Sequence, residues 1–124
     1  MVTRTEYLRS MLEKIQESYN IINELNDKSG DIATIRLELL RAKGIMQVIV
    51  NKISPRDYPN VDVPGLVMAL SIFLNEYYFE RELDIMEPLY GDDPGRIRHL
   101  RLKILDAMRS KDLTVKIREI LLEL

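Results

Sequence analysis

The chain has 124 residues, a formal net charge of −2 at pH 7 and 46% hydrophobic residues, which is typical of one domain that buries its own core. It contains no cysteine, so disulfide frameworks and thiolate metal sites are excluded, and no apolar run approaches the length of a membrane span. Residues 1–6 lead directly into a charged amphipathic segment and show no signal-peptide pattern. We therefore expect a single cytoplasmic domain over residues 1–124, without a membrane-bound part.

The first predicted helix starts at Thr3, because Thr3 and Glu6 form the sequence pattern of a capping box. Apolar residues then recur at steps of four and three and so share one face, namely Leu8, Leu12, Ile15, Tyr19 and Ile22. Residues 26–30 are predicted to be a loop.

The second predicted helix, residues 31–53, has the strongest apolar pattern in the chain. Its main stripe is unbroken at steps of three and four: Ile32, Ile35, Leu39, Ala42, Met46, Ile49 and Ile53. Leu40, Ile45 and Val48 widen that stripe, which predicts more than one neighbour for this helix. Gly44 in the helix interior costs about 1 kcal/mol relative to alanine, a cost that is tolerable where another helix crosses closely.

A proline-containing linker precedes a third predicted helix over residues 62–86, which has Pro64 in its first turn. Pro88 and Gly91 are predicted to end this helix. Asp93 and Pro94 form a cap-and-proline start for a fourth helix, whose apolar face is Ile97, Leu100, Ile104 and Met108. Residues 113–124 form a short final helix. The sequence thus predicts an all-α, antiparallel up-and-down bundle of four main helices plus a short C-terminal helix.

Charge is unevenly distributed along the second half of the chain. Residues 57–93 carry nine acids against one base, whereas residues 96–118 carry eight bases against two acids. We expect the two segments to pack beside each other and to complement one another.

The sequence offers little for catalysis. His99 is the only histidine, and no serine or threonine has the context of an activated nucleophile. Glu76, Glu80 and Asp84 share a spacing of four residues, but no histidine accompanies them, so a solvated stripe is the simpler interpretation. We predict no catalytic residue, no metal site and no cofactor, and hence no enzyme.

The basic stretch 96–103 supports an alternative function. Arg96, Arg98, Arg101 and Lys103 would contact a nucleic-acid backbone if the chain were a small helical subunit of a nucleoprotein or other multiprotein assembly. However, no aromatic residues are interleaved with these bases, and the sequence pI is about 5.5, which is unlike a dedicated nucleic-acid binder.

The aromatic residues favour a protein partner. Phe73, Tyr77, Tyr78 and Phe79 point to several sides of one predicted helix, so one buried face cannot hide all four. We expect Tyr78 and Phe79 to contribute to a protein-binding surface, since exposed aromatics are enriched at interfaces. The apolar edge of the second helix, Leu40, Ile45 and Val48, is the other predicted part of that surface.

In its second helix the sequence resembles the flagellin-specific export chaperones (the FliS family). That family's helix reads approximately Leu-x-Arg-Ala-x-x-Ile-Ile, and Arg41, Ala42 and Ile45 match it. The stretch 8–12, Leu-Arg-Ser-Met-Leu, is similar to the family's Leu-x-x-Met-Leu-Tyr, although Glu13 replaces the tyrosine.

The resemblance implies a small cytosolic helical protein that holds the C-terminal segment of flagellin before secretion. An amphipathic or disordered segment would place its apolar anchors into grooves between bundle helices and become ordered as it binds. The family's N-terminal tyrosine-containing tail is missing here, which argues against autoinhibition of such a groove by that tail.

Overall fold

The structure is a computed structural model that describes residues 3–124, with the backbone alone at position 111. Within this range the chain forms six α-helices and no strand, which confirms the predicted all-α bundle. The helices are α1 (Arg4–Glu24), α2 (Asp31–Lys52), α3 (Val63–Glu76), α4 (Glu80–Tyr90), α5 (Pro94–Arg109) and α6 (Leu113–Glu123). Short 3₁₀ turns, Pro55–Asp57 and Ser110–Asp112, precede α3 and α6.

The starts of α1 and α2 follow from local chemistry, and the capping box of α1 was predicted. The Thr3 hydroxyl accepts a hydrogen bond from the Glu6 amide at 3.1 Å, and the Glu6 carboxylate accepts one from the Thr3 amide at 3.4 Å. The capping box therefore satisfies amides that the first turn would leave unpaired. Gly30, at φ 92°, turns the chain into α2 with a backbone conformation that favours glycine.

Helix α2 lies at the centre of the bundle and packs against α1, α3, α4 and α5. Its predicted stripe is buried along nearly its whole length: Ile32, Ile35, Leu39, Ala42, Met46 and Ile49. Helix α1 packs against α5 and α6 as well as α2, and α3 packs against α6. In the part of the chain that the structure describes, no helix is both long enough and apolar enough to cross a bilayer.

The predicted third helix, residues 62–86, is wrong, because two helices occupy this segment. Tyr77 adopts an extended conformation and ends α3, and α4 begins at Glu80. The Tyr77 and Phe79 rings stack with centroids 6.3 Å apart, whereas positions two apart on a continuous helix point in nearly opposite directions. The break thus allows both rings to pack on the same side.

Helix α4 continues past Pro88 to Tyr90 and has Gly91 as its C-cap, so the prediction was wrong for Pro88 and is confirmed for Gly91. A proline removes one backbone hydrogen bond from a helix. Pro88 lacks the amide that would bond the carbonyl of Asp84, and α4 continues to Tyr90 without that bond.

The acidic and basic segments pack together as predicted. Lys103 on α5 forms an ion pair of 2.8 Å with Glu82 on α4, and Lys116 on α6 forms one of 2.6 Å with Asp62 at the start of α3. The Lys116 hydrogen bond, followed by that from the Gly65 amide, lowers the pKa of Asp62 below its ordinary value. These pairs join the acidic and basic segments, while Asp84 and Glu87 pair instead with Arg36 of α2.

Candidate protein-binding groove

An open groove runs between α1 and α2 and has a volume of about 610 Å³. We call it the α1–α2 groove; it is lined by Tyr7, Met11, Lys14 and Glu17 of α1 and by Leu40, Arg41, Gly44, Ile45 and Val48 of α2. The two helices lie antiparallel because only the short segment 25–30 connects them. All three predicted contact residues of α2, Leu40, Ile45 and Val48, line this one groove.

The groove exposes large apolar side chains that an isolated bundle would be expected to bury. Tyr7 is 47% exposed and Leu40 is 49% exposed, while Ile45 and Val48 are half-buried. Leu37, one turn before Leu40, extends this apolar edge and is 56% exposed. Exposed apolar side chains grouped in this way are a common feature of protein-binding surfaces.

Gly44 lies on the α2 side of the groove, in the middle of a helix. A Cβ atom at this position would meet nothing within 4 Å, so no other helix that the structure describes crosses closely here. The close helix crossing suggested by the sequence is therefore not made by residues 3–124. Glycine leaves the α2 backbone open to the groove at this point, at a cost of about 1 kcal/mol in helix stability.

A buried carboxylate lies beside the groove, between its two helices. Glu38 is 3% exposed and accepts hydrogen bonds from Ser18 on α1 at 3.3 Å and from Arg41 at 2.8 Å. Arg41 thus neutralises Glu38 while its own side chain is half-exposed at the groove. Lys14 and Glu17 add one exposed charge of each sign on the α1 side.

The two predicted aromatic contacts do not line the groove. Tyr78 is 69% exposed, as expected, and the Lys43 ammonium lies 5.2 Å from the centre of its ring. Phe79 is only 3% exposed, so its predicted exposure was wrong. The break after α3 turns Phe79 inward against Tyr77, whose hydroxyl lies 2.9 Å from the Ser110 hydroxyl.

Glu80 lies next to this aromatic cluster and pairs with Lys43 at 2.7 Å. Burial opposes ionisation of this carboxyl group, but the Lys43 hydrogen bond and backbone amides outweigh burial and lower the pKa of Glu80. The Lys43–Glu80 pair fixes α2 to the start of α4, which is a structural role.

The basic stretch is largely committed to contacts within the chain. Arg101 is buried and donates to both carboxylate oxygens of Asp27, at 2.7 Å and 3.3 Å. The predicted contact of Arg101 with a nucleic-acid backbone was therefore wrong. Arg96 lies over the Tyr90 ring at 3.8 Å, and Lys103 pairs with Glu82. Arg98 is exposed on α5, beside an exposed His99.

Sequence reasoning identified the α2 side of the groove but missed its α1 side. Tyr7, Met11 and Lys14 follow one another at steps of four and three and flank the buried stripe of α1. For Tyr7 and Met11 the available signal was a wider apolar stripe on α1; Lys14 is charged and has no such signal. Among residues 3–124, no three acidic or histidine side chains are grouped so as to hold a metal ion.

Comparison with known proteins adds no relative: no protein-family model, no curated protein and no solved structure matches the chain.

Proposed function

We propose that this chain is a non-catalytic protein-binding module that captures an amphipathic segment of another protein in the α1–α2 groove. The observation that carries the proposal is the row of exposed and half-buried apolar side chains on the α2 side of the groove, Leu40, Ile45 and Val48, which Tyr7 faces from α1. An amphipathic helix recognises such a groove through apolar anchors spaced three and four residues apart.

Gly44 supports a helical occupant in particular. Two helices approach most closely where one of them carries a residue without a side chain, and Gly44 is open on the groove side of α2. A bound helix would place its backbone, or one large apolar side chain, over this position. Gly44 lowers the stability of α2 in the free protein, and a closer helix–helix contact in the complex would offset that loss.

The specific function that we propose is that of a cytosolic export chaperone for the C-terminal segment of flagellin. The resemblance in α2 supports it, because two of its three matching residues, Arg41 and Ile45, line the groove, while the third, Ala42, is in the core. Covering the apolar face of the segment would keep it from polymerising before secretion.

Calorimetric titration with a C-terminal flagellin segment tests the proposal. We expect a one-to-one complex with a negative heat-capacity change, because apolar surface is buried on binding. The matched control is the same segment with its apolar anchors replaced by serine, which should give no heat. Absence of both heat and co-elution with the unmodified segment would remove flagellin as the partner.

A further inference from the structure

A second cavity lies on the other side of α1, between this helix, the end of α5 and α6, and has a volume of about 290 Å³. None of its lining residues also lines the α1–α2 groove. We call it the α1–α6 cavity. It is therefore spatially separate from the site proposed to capture a helical segment.

The floor of the α1–α6 cavity is apolar and belongs to the bundle core. Ile15, Met108 and Ile117 line it, and each is at most 2% exposed. Its volume equals that of about ten water molecules in the liquid. The cavity therefore has room for an apolar group of on the order of ten non-hydrogen atoms, at the small end of the usual range for ligand sites.

The rim of the cavity is basic. Arg109 from α5 and Arg118 from α6 both line it, and none of the described lining residues is acidic. Arg109 also pairs with Asp106 on its own helix, but a guanidinium has five N–H donors and can bind a second acceptor. Tyr19 contributes a hydroxyl on the α1 side, which is hydrogen-bonded to Arg109.

We infer that the α1–α6 cavity binds a small organic anion that consists of a short aliphatic body and a carboxylate. The body would occupy the floor formed by Ile15, Met108 and Ile117, and the carboxylate would accept hydrogen bonds from Arg118 and Arg109. The protein as a whole carries a net charge of −2, so the positive rim is a local feature and not a general attraction for anions. Arginine suits this role because its planar fork matches a carboxylate.

Titration with octanoate, followed by calorimetry and by amide chemical shifts, tests this inference on the full chain. We expect octanoate to bind and to shift amides of residues 15–20 and 108–118, whereas octan-1-ol, which lacks the charge, binds at least about tenfold more weakly. Equal binding of octanoate and octan-1-ol, or shifts confined to residues 37–48, would overturn it.

Substitution of a rim arginine separates specific recognition of the carboxylate from nonspecific binding of an apolar chain. Arg118→Gln should weaken octanoate binding roughly tenfold or more, because a charged hydrogen-bond donor is lost. Arg98→Gln removes the same charge from an exposed position of α5 that does not line the cavity, and octanoate affinity should stay within about twofold. An equal loss in the two variants would show only long-range electrostatics and overturn the site. Should Arg118→Gln fail to fold, the comparison of octanoate with octan-1-ol on the unaltered protein still decides.

Discussion

Ile45→Asp should abolish capture of an amphipathic segment while the helical bundle stays folded. Ile45 is half-buried in the α1–α2 groove beside Gly44 and Val48, so a bound helix would cover the new carboxylate and strip it of water. Loss of a central apolar anchor costs about 2 kcal/mol or more, and the desolvation of an unpaired charge adds to it. We expect the dissociation constant for the flagellin segment to rise by about a hundredfold or more in calorimetric titration.

Gln47→Asp is the matched control for Ile45→Asp. Gln47 is exposed on the same helix, two residues further on, and does not line the groove. It receives the same new charge, so it should leave binding nearly unchanged. A similar loss of binding in Gln47→Asp would indicate repulsion by an acidic partner instead of a lost groove contact. Loss of the helical circular dichroism signal in Ile45→Asp, but not in Gln47→Asp, would assign Ile45 to the core.

Arg101→Ala should destabilise the protein by about 3–5 kcal/mol, because it leaves a largely buried carboxylate without its partner. The Arg101 and Asp27 side chains are 11% and 13% exposed, and Arg101 also donates to the backbone carbonyl of Asn23 at 3.2 Å. These bonds fasten α5 to the end of α1. Urea unfolding at neutral pH should show the midpoint falling by an amount that corresponds to this loss.

Arg98→Ala provides the comparison for Arg101→Ala, because Arg98 lies three residues earlier on α5 but is exposed. Its effect on the free energy of unfolding should stay within about 0.5 kcal/mol. Two equally small effects would mean that the Arg101–Asp27 pair contributes little. If the chain bound nucleic acid through residues 96–103, Arg98→Ala would instead weaken that binding and reduce its salt dependence without affecting stability.

Local signals in the sequence were sufficient for α1, α2 and α5. Thr3 and Asp93 are capping residues whose effect does not depend on the rest of the chain, and the stripe from Ile32 to Ile49 needs only helical periodicity. The break between α3 and α4 has no such signal, because no glycine or proline lies between Glu76 and Glu80. It depends on packing of Phe73, Tyr77 and Phe79, which a local pattern does not contain.

The candidate site likewise has residues that local patterns identify and residues that only tertiary packing determines. The width of the α2 stripe identified Leu40, Ile45 and Val48, since residues outside the main stripe must face a second neighbour or solvent. Which helix lies beside them is a property of the bundle, and Tyr7 and Met11 were therefore missed. Phe79 was assigned to the surface by treating its segment as a continuous helix, and Arg101 was assigned to a basic face because its partner, Asp27, is far away in sequence.

At Gly44, where the backbone is open, stability of the free protein and capture of a partner favour different residues. Selection can therefore act on the two properties separately. Alanine fits there without a clash and should raise the stability of the free protein by up to about 1 kcal/mol. In a library randomised at position 44, selection for heat resistance alone should therefore enrich alanine. Selection for capture of a helical partner should retain glycine, and sequencing both pools would show whether the groove or the fold determines this residue.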